Sequence, residues 1–276
     1  MALPASGYWG ASTATNDFCE PNYTMSHYVA EFWNTLSSVP IVAVGAVGLV
    51  HCRRQKLGAA QAASYGVVGV VGVGSILFHA TLMRTGQVLD EVPMLWAVVC
   101  LLFAAVSAER ERRTSRGMDQ TGVGRRHAAL RIGLAAYTLA ATALYFYSGF
   151  VGFIVAYAAS VVALVLLAAF QMFAPSGPQS AAPRRMLILA AATYAGGFLL
   201  LWLPGEVLCH HVPLFQRLPL HALFHLTSAA GPHLGLTAFA LAQHELEQPR
   251  APSTPLFAGL PAIDRRAAAI DVDKAA

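Results

Sequence analysis

Apolar residues run along this chain in long unbroken blocks, not in the alternating or one-faced patterns of a soluble domain. Seven windows, at 32–50, 62–83, 88–108, 128–147, 151–173, 186–203 and 220–242, are long enough to cross a hydrocarbon layer, which takes roughly 20 apolar residues as a helix. The pattern predicts an all-α membrane protein, a bundle of seven transmembrane helices. The narrowest boundary is between the fourth and fifth windows, which only Ser148 and Gly149 separate. Pro40, Gly69, Gly72, Gly74 and Pro93 fall inside windows; helices in lipid tolerate such residues and use small ones to pack closely.

Composition agrees: 56% of the 276 residues are hydrophobic and only 12% charged, more apolar surface than a soluble core can hide. The first thirty residues are polar and lack a basic start and an apolar run, so no cleavable signal peptide is expected. Residues 1–248 read as one membrane domain, with 1–31 outside the bilayer, and 249–276, rich in Ala and Pro, as a disordered tail. Arg53, Arg54, Lys56, the arginines between 110 and 131, Arg184, Arg185 and those of the tail alternate with connections that keep only Arg84 and Arg217. By the positive-inside rule the N-terminus is lumenal or outside, and the C-terminus and its tail are cytoplasmic. The same arginines explain the basic balance without a nucleic-acid partner.

With this topology three histidines fall at one lumenal depth: His79 at the end of the second window, and His221 and His225, four apart on one helical face, at the start of the seventh. Three imidazoles and a water make the open arrangement of a catalytic zinc, which lowers the pKa of its water to about 7. Each histidine could instead hydrogen-bond between helices or sit among headgroups, and His210 and His211 are alternatives on the same side. The HALFH motif has no internal glutamate, so a base must come from elsewhere, and Asp90 is the nearest by depth; Asp90 and Glu91 would equally suit plain helix N-terminal acids. Ser75 lies one turn below His79 on the same face. Of the four cysteines, only Cys19 and Cys209 share the oxidising side, so they are expected to form a disulfide.

The blocks GYWGASTATNDFCEPNY, EFWNTLSS, GSILFHATL, LDEVP and HALFH, in that order, resemble the alkaline ceramidase family of seven-helix membrane hydrolases. The resemblance implies zinc held by His79, His221 and His225, with Ser75 and Asp90 at the zinc-bound water. It also implies a calcium site from Asp17, Glu20, Asn22 and Glu31 with the Phe18 carbonyl, which the acidic terminus read by itself would not suggest. Implied too are a ceramide-type lipid substrate, its amide hydrolysed to a sphingoid base and a fatty acid, and residence in the endoplasmic reticulum or Golgi with the active site toward the lumen. The chain departs from the family at LWLPGEVLCHH, where Pro204 and Gly205 replace polar residues and Glu206 is the one acid left. A non-enzymatic receptor with structural zinc and a metal or proton transporter are the alternatives. The residues do not indicate an oligomeric state.

Overall fold

The computed structural model describes residues 7–115, 123–173, 181–209, 211–212, 214–215, 218–247, 256–257 and 260–261. Its helices are α1 (Phe32–Ser37), α2 (Val39–Gln55), α3 (Ala59–Thr81), α4 (Arg84–Ser115), α5 (Val123–Ser148), α6 (Phe150–Phe173), α7 (Ala181–Gly197) and α8 (Leu220–Glu247). Among the described residues six helices or helical runs are long and apolar enough to cross a membrane: α1 with α2, then α3, α4, α5, α6, and α7 with its extension to Leu208. The 28-residue α8 does not join them, because His221, His225, His233 and His244 fall within its apolar sequence. It can carry them because it lies inside the bundle, with Leu236, Ala238, Phe239 and Leu241 buried. Of the tail expected to be disordered, residues 256–257 and 260–261 pair as a short antiparallel hairpin, and the remainder lies outside the described residues.

Three local features position the site. The first span bends at Ser38, whose hydroxyl donates to the Asn34 carbonyl at 2.8 Å; such back-bonding bends helices, and Pro40 supplies no N–H to straighten this one. Beyond α7 the helix widens through Phe198–Trp202 and Pro204–Leu208 into i to i+5 turns, with Leu203 N–H reaching the Phe198 carbonyl. Gly149, at φ 62°, alone reverses the chain between α5 and α6, and its N–H caps the Tyr145 carbonyl at 2.7 Å. This left-handed conformation suits glycine, and it makes the narrow 148–149 boundary a real one.

Residues 7–31 fold over the end of the bundle where α3 gives way to α4. Thr13 and Ala14 donate to the Leu82 carbonyl, Ala30 to Ala80, and Glu31 to His79. A disulfide joins Cys19 to Cys209, as expected, across a sequence separation of 190. Arg53, Arg54, Lys56, Arg184 and Arg185 fall at the opposite end, at the foot of α2 and the start of α7. Between the two ends Ile41, Val68, Ala97 and Ala229 form an apolar layer, and beneath it Tyr65 hydrogen-bonds His233.

Candidate metal centre

His79, in the last turn of α3, meets His221 and His225 on the first two turns of α8. One ligand nitrogen from each lies within 4.8 Å of the others, and no other group of three such side chains gathers this tightly among the described residues. His211 is exposed and takes no part in this group, whereas His210 lies outside the described residues.

Each ring has a carboxylate or hydroxyl oxygen behind it at Nδ1, hydrogen-bonded at His79 and His225 and in contact without hydrogen-bond geometry at His221. His79 pairs with Glu31 Oε2, His221 Nδ1 lies 2.7 Å from Glu206 Oε1, and His225 Nδ1 lies 2.8 Å from Ser37 Oγ and 3.3 Å from Ser38 Oγ. Nε2 is therefore the nitrogen that His79 and His225 have left for the shared centre, and that of His79 is buried without a hydrogen-bond partner. A buried polar atom in that state is costly unless something meets it. A carboxylate or hydroxyl behind each imidazole is how metal-ligating histidines are oriented and made more basic. Residues of this kind fit a zinc ion with an open fourth position.

Ser75 and Asp90 stand beside the histidines because α3 and α4 touch there. A Cβ at Gly74 would run into the Leu89 carbonyl, so only glycine permits the approach. Asp90 lies beside Ser75, whose Oγ accepts from Ser38 Oγ at 3.0 Å. Glu91 turns elsewhere: Gln87 Nε2 and Asn16 Nδ2 donate to its Oε1 at 3.0 and 3.1 Å, tying it to the N-terminal segment. The geometry thus separates two carboxylates that were nearly equivalent in sequence.

The Ceramidase family profile matches residues 10–262. The chain belongs to the ceramidase family. It is 36% identical over 115 residues to an alkaline ceramidase of Arabidopsis thaliana, covering 42% of this chain and 45% of the plant protein. It is 41% identical over 102 residues to alkaline ceramidase 3 of Mus musculus, covering 37% and 38%. An alkaline ceramidase of Saccharomyces cerevisiae is 37% identical over 105 residues, covering 38% and 33%. The chain therefore spans less than half the length of each of these relatives.

The acidic segment of this ceramidase-family chain is built into the bundle. Glu20 accepts from the Trp33 and Asn34 amides at 2.7 and 2.9 Å, capping the positive end of α1 from eleven residues before Glu31. Glu31 is fully buried, accepting from Phe18 N–H at 3.2 Å and Asn34 Nδ2 at 3.1 Å besides its contact with His79. Burial pushes both carboxyls up, Glu31 to about 7 against the opposing pull of Asn34. Asp17 Oδ1 accepts from Asn22 Nδ2 at 3.0 Å, while Asn22 Oδ1 is buried with no partner. These oxygens share a neighbourhood but do not converge as the histidines do. The Phe18 ring packs 4.2 Å from His221 and 5.2 Å from His79, so the same loop roofs the metal centre.

Ser37, Ser38, Asn34 and Gln87 were missed as site residues from sequence. Their only signal was to lie within EFWNTLSS or, for Gln87, two residues before LDEVP. Glu206, the one acid left in the stretch that departs from the family pattern, lies against His221.

Proposed function

We propose that this protein hydrolyses the amide of ceramide or its phyto or dihydro forms, releasing a sphingoid base and a fatty acid. It does so as a zinc-dependent bundle of seven transmembrane helices. In this reading α8 is the seventh span, the N-terminus and active site face the lumen of the endoplasmic reticulum or Golgi, and the C-terminus is cytoplasmic. Residues 1–248 form the catalytic unit and 249–276 a cytoplasmic tail. The observation that carries it is the convergence of three histidines beside Ser75 and Asp90 in a ceramidase-family fold.

When bound by His79, His221 and His225, zinc supplies polarisation of the amide carbonyl and an acidified water. Asp90 takes the proton of the attacking water and returns it to the departing nitrogen, which amide cleavage requires because an amine anion is a very poor leaving group. Ser75, whose Oγ accepts from Ser38, is left with its own proton to donate to the carbonyl oxygen as charge builds on it. Calcium, when held by Asp17, Glu20, Asn22, Glu31 and the Phe18 carbonyl, neutralises the carboxylates and orders the roof; the unpartnered Asn22 Oδ1 fits such a hard cation. The two lipid chains lie within the bundle and open toward the bilayer. The apolar layer of Ile41, Val68, Ala97 and Ala229 beneath the site favours chemistry over transport through the bundle.

The test is to incubate purified protein with a ceramide panel and quantify sphingoid base by mass spectrometry, with and without zinc and calcium chelators. Release that depends on zinc is expected; a fully active zinc-free preparation refutes the mechanism.

A further inference from the structure

GYWG opens the N-terminal segment, and neither the metal centre nor the acidic side chains use it. It forms a tight turn: Gly10 N–H donates to the Gly7 carbonyl at 3.1 Å, with Tyr8 and Trp9 at the two corners. Both glycines are required. Gly10 takes φ 83°, and a Cβ at Gly7 would run into the Tyr23 ring packed against it. Turn corners ordinarily take small or polar residues, so two large aromatic side chains there, 61% and 42% exposed, call for a physical reason.

A third ring joins them. Tyr8 N–H donates to the His27 carbonyl at 2.9 Å and Trp9 Nε1 to the Tyr28 carbonyl at 2.8 Å. The Tyr28 ring, equally exposed, then lies 5.2 Å from that of Tyr8, itself 5.0 Å from Trp9. The indole N–H is thereby satisfied inside the platform, and the ring offers only hydrocarbon outward. Residues 7–12 and 24–30 hold no Asp, Glu, Lys or Arg, whereas Glu20 and Glu31 of the same segment turn inward to α1 and His79. Depth is fixed by the backbone. Two residues beyond Tyr28, Ala30 and Glu31 donate to the Ala80 and His79 carbonyls in the last turn of α3, where a membrane-length span ends. From there the first span presents Trp33, Leu36, Val39, Ala43, Ala46 and Val50 as an exposed row at helical spacing, which is lipid-facing surface.

We infer that the Tyr8–Trp9–Tyr28 platform docks the N-terminal segment onto the bilayer, its rings seated in the interfacial zone of the leaflet on the metal-centre side. Tyr and Trp suit that zone because an apolar body enters the chains while a polar edge stays among headgroups. A zwitterionic leaflet suffices, since the platform offers it no formal charge. The same segment holds the Phe18 ring over His79 and His221, so the bilayer becomes part of what supports the roof of the site. Docking of this kind is independent of the reaction performed beneath it.

The experiment is tryptophan quenching in the full chain reconstituted into phosphatidylcholine vesicles. Subtracting the emission of Trp9→Phe from that of the parent isolates Trp9 from Trp33, Trp96 and Trp202. The Trp9 signal should be lost in lipid brominated near the headgroup end of its chains, fall less with bromine near the chain ends, and survive iodide in the water. A Trp9 signal that iodide quenches and brominated lipid does not overturns the inference. Shielding from both quenchers overturns it too and assigns the platform to a protein occupant, a second copy if the shielding fades on dilution in detergent.

A second variant tests the neighbouring rings. Tyr8→Ser/Tyr28→Ser, measured against the same pair carrying Trp9→Phe, should unseat the turn, so that Trp9 emission shifts to the red and opens to iodide. Cys19 and Cys209 should stay linked in non-reducing peptide mapping, which shows that the rest of the segment is in place. Unchanged shielding in a correctly bridged double variant denies the tyrosines a part in docking and overturns the platform as described. If that variant fails to form the bridge, the depth pattern of bromine quenching in the parent decides alone.

Discussion

Replacing Glu31 by Gln keeps the shape of a side chain with three partners and removes the symmetry of its two oxygens. As a carboxylate it accepts from Phe18 N–H at one oxygen and from Asn34 Nδ2 at the other, which also meets His79 Nδ1. A glutamine has one oxygen for these two positions. If its NH2 faces Phe18, two donors confront each other in a fully buried place, at about 1–3 kcal/mol. If its NH2 faces the other way, Asn34 can flip its amide, but His79 must then accept at Nδ1 and carry its proton on Nε2, the nitrogen the metal needs. Either way, the loss of a charged partner behind a metal-ligating histidine costs about 10–100-fold in metal affinity. Purified Glu31→Gln should melt several degrees below the parent, hold zinc 10–100-fold more weakly in a chelator competition, and lose turnover at limiting zinc. Parent-like melting together with parent-like zinc affinity would refute the placement of Glu31 behind His79.

Four further outcomes follow from the same geometry. His225→Ala should lose most of the roughly one zinc expected per chain, measured by plasma mass spectrometry, and turnover with it. Asp90→Asn should retain zinc while turnover falls roughly 10² to 10⁴-fold, whereas Glu91→Gln, which loosens the Asn16 and Gln87 contacts, should chiefly lower the melting temperature; the reverse pattern assigns the base to Glu91. Glu206→Gln should weaken zinc binding by about 10–100-fold, and an unchanged affinity would deny it a role behind His221. Non-reducing peptide mapping should recover Cys19 linked to Cys209, and Cys209→Ser should cost on the order of 2–5 kcal/mol; finding Cys19 free contradicts both the bridge and the orientation.

The histidine set was legible in sequence because two independent constraints coincided: helical spacing aligned His221 with His225, and alternating topology brought His79 to the same depth. What holds those histidines was not legible. Ser37 and Ser38 reach His225 only because the first span bends at Ser38, and Glu206 is presented by the widened turns after Gly197. Bends and wide turns arise from hydrogen bonds displaced by one residue, which leave no periodic trace in the apolar pattern. The same limit applies to Asp90 and Glu91, adjacent in sequence and separated by how closely Gly74 lets α3 approach α4. α8 shows the converse: a helix inside the bundle can carry histidines that meet partners there, as His225 and His233 do, so its composition understates how deeply it sits.

The bridge from Cys19 to Cys209 joins residues 190 positions apart, and the metal centre likewise needs α3 and α8. A ribosome adding 5–20 residues per second takes roughly 10–40 s to cover that interval. Throughout that time the nascent chain exposes a reactive thiol, a histidine without its companions and an acidic loop without a seat. On the proposed function, catalytic competence arrives with the last helix, all at once. A chain stalled before residue 220 would then be inert toward its own membrane, and a half-made copy could not release sphingoid base into the bilayer that is receiving it.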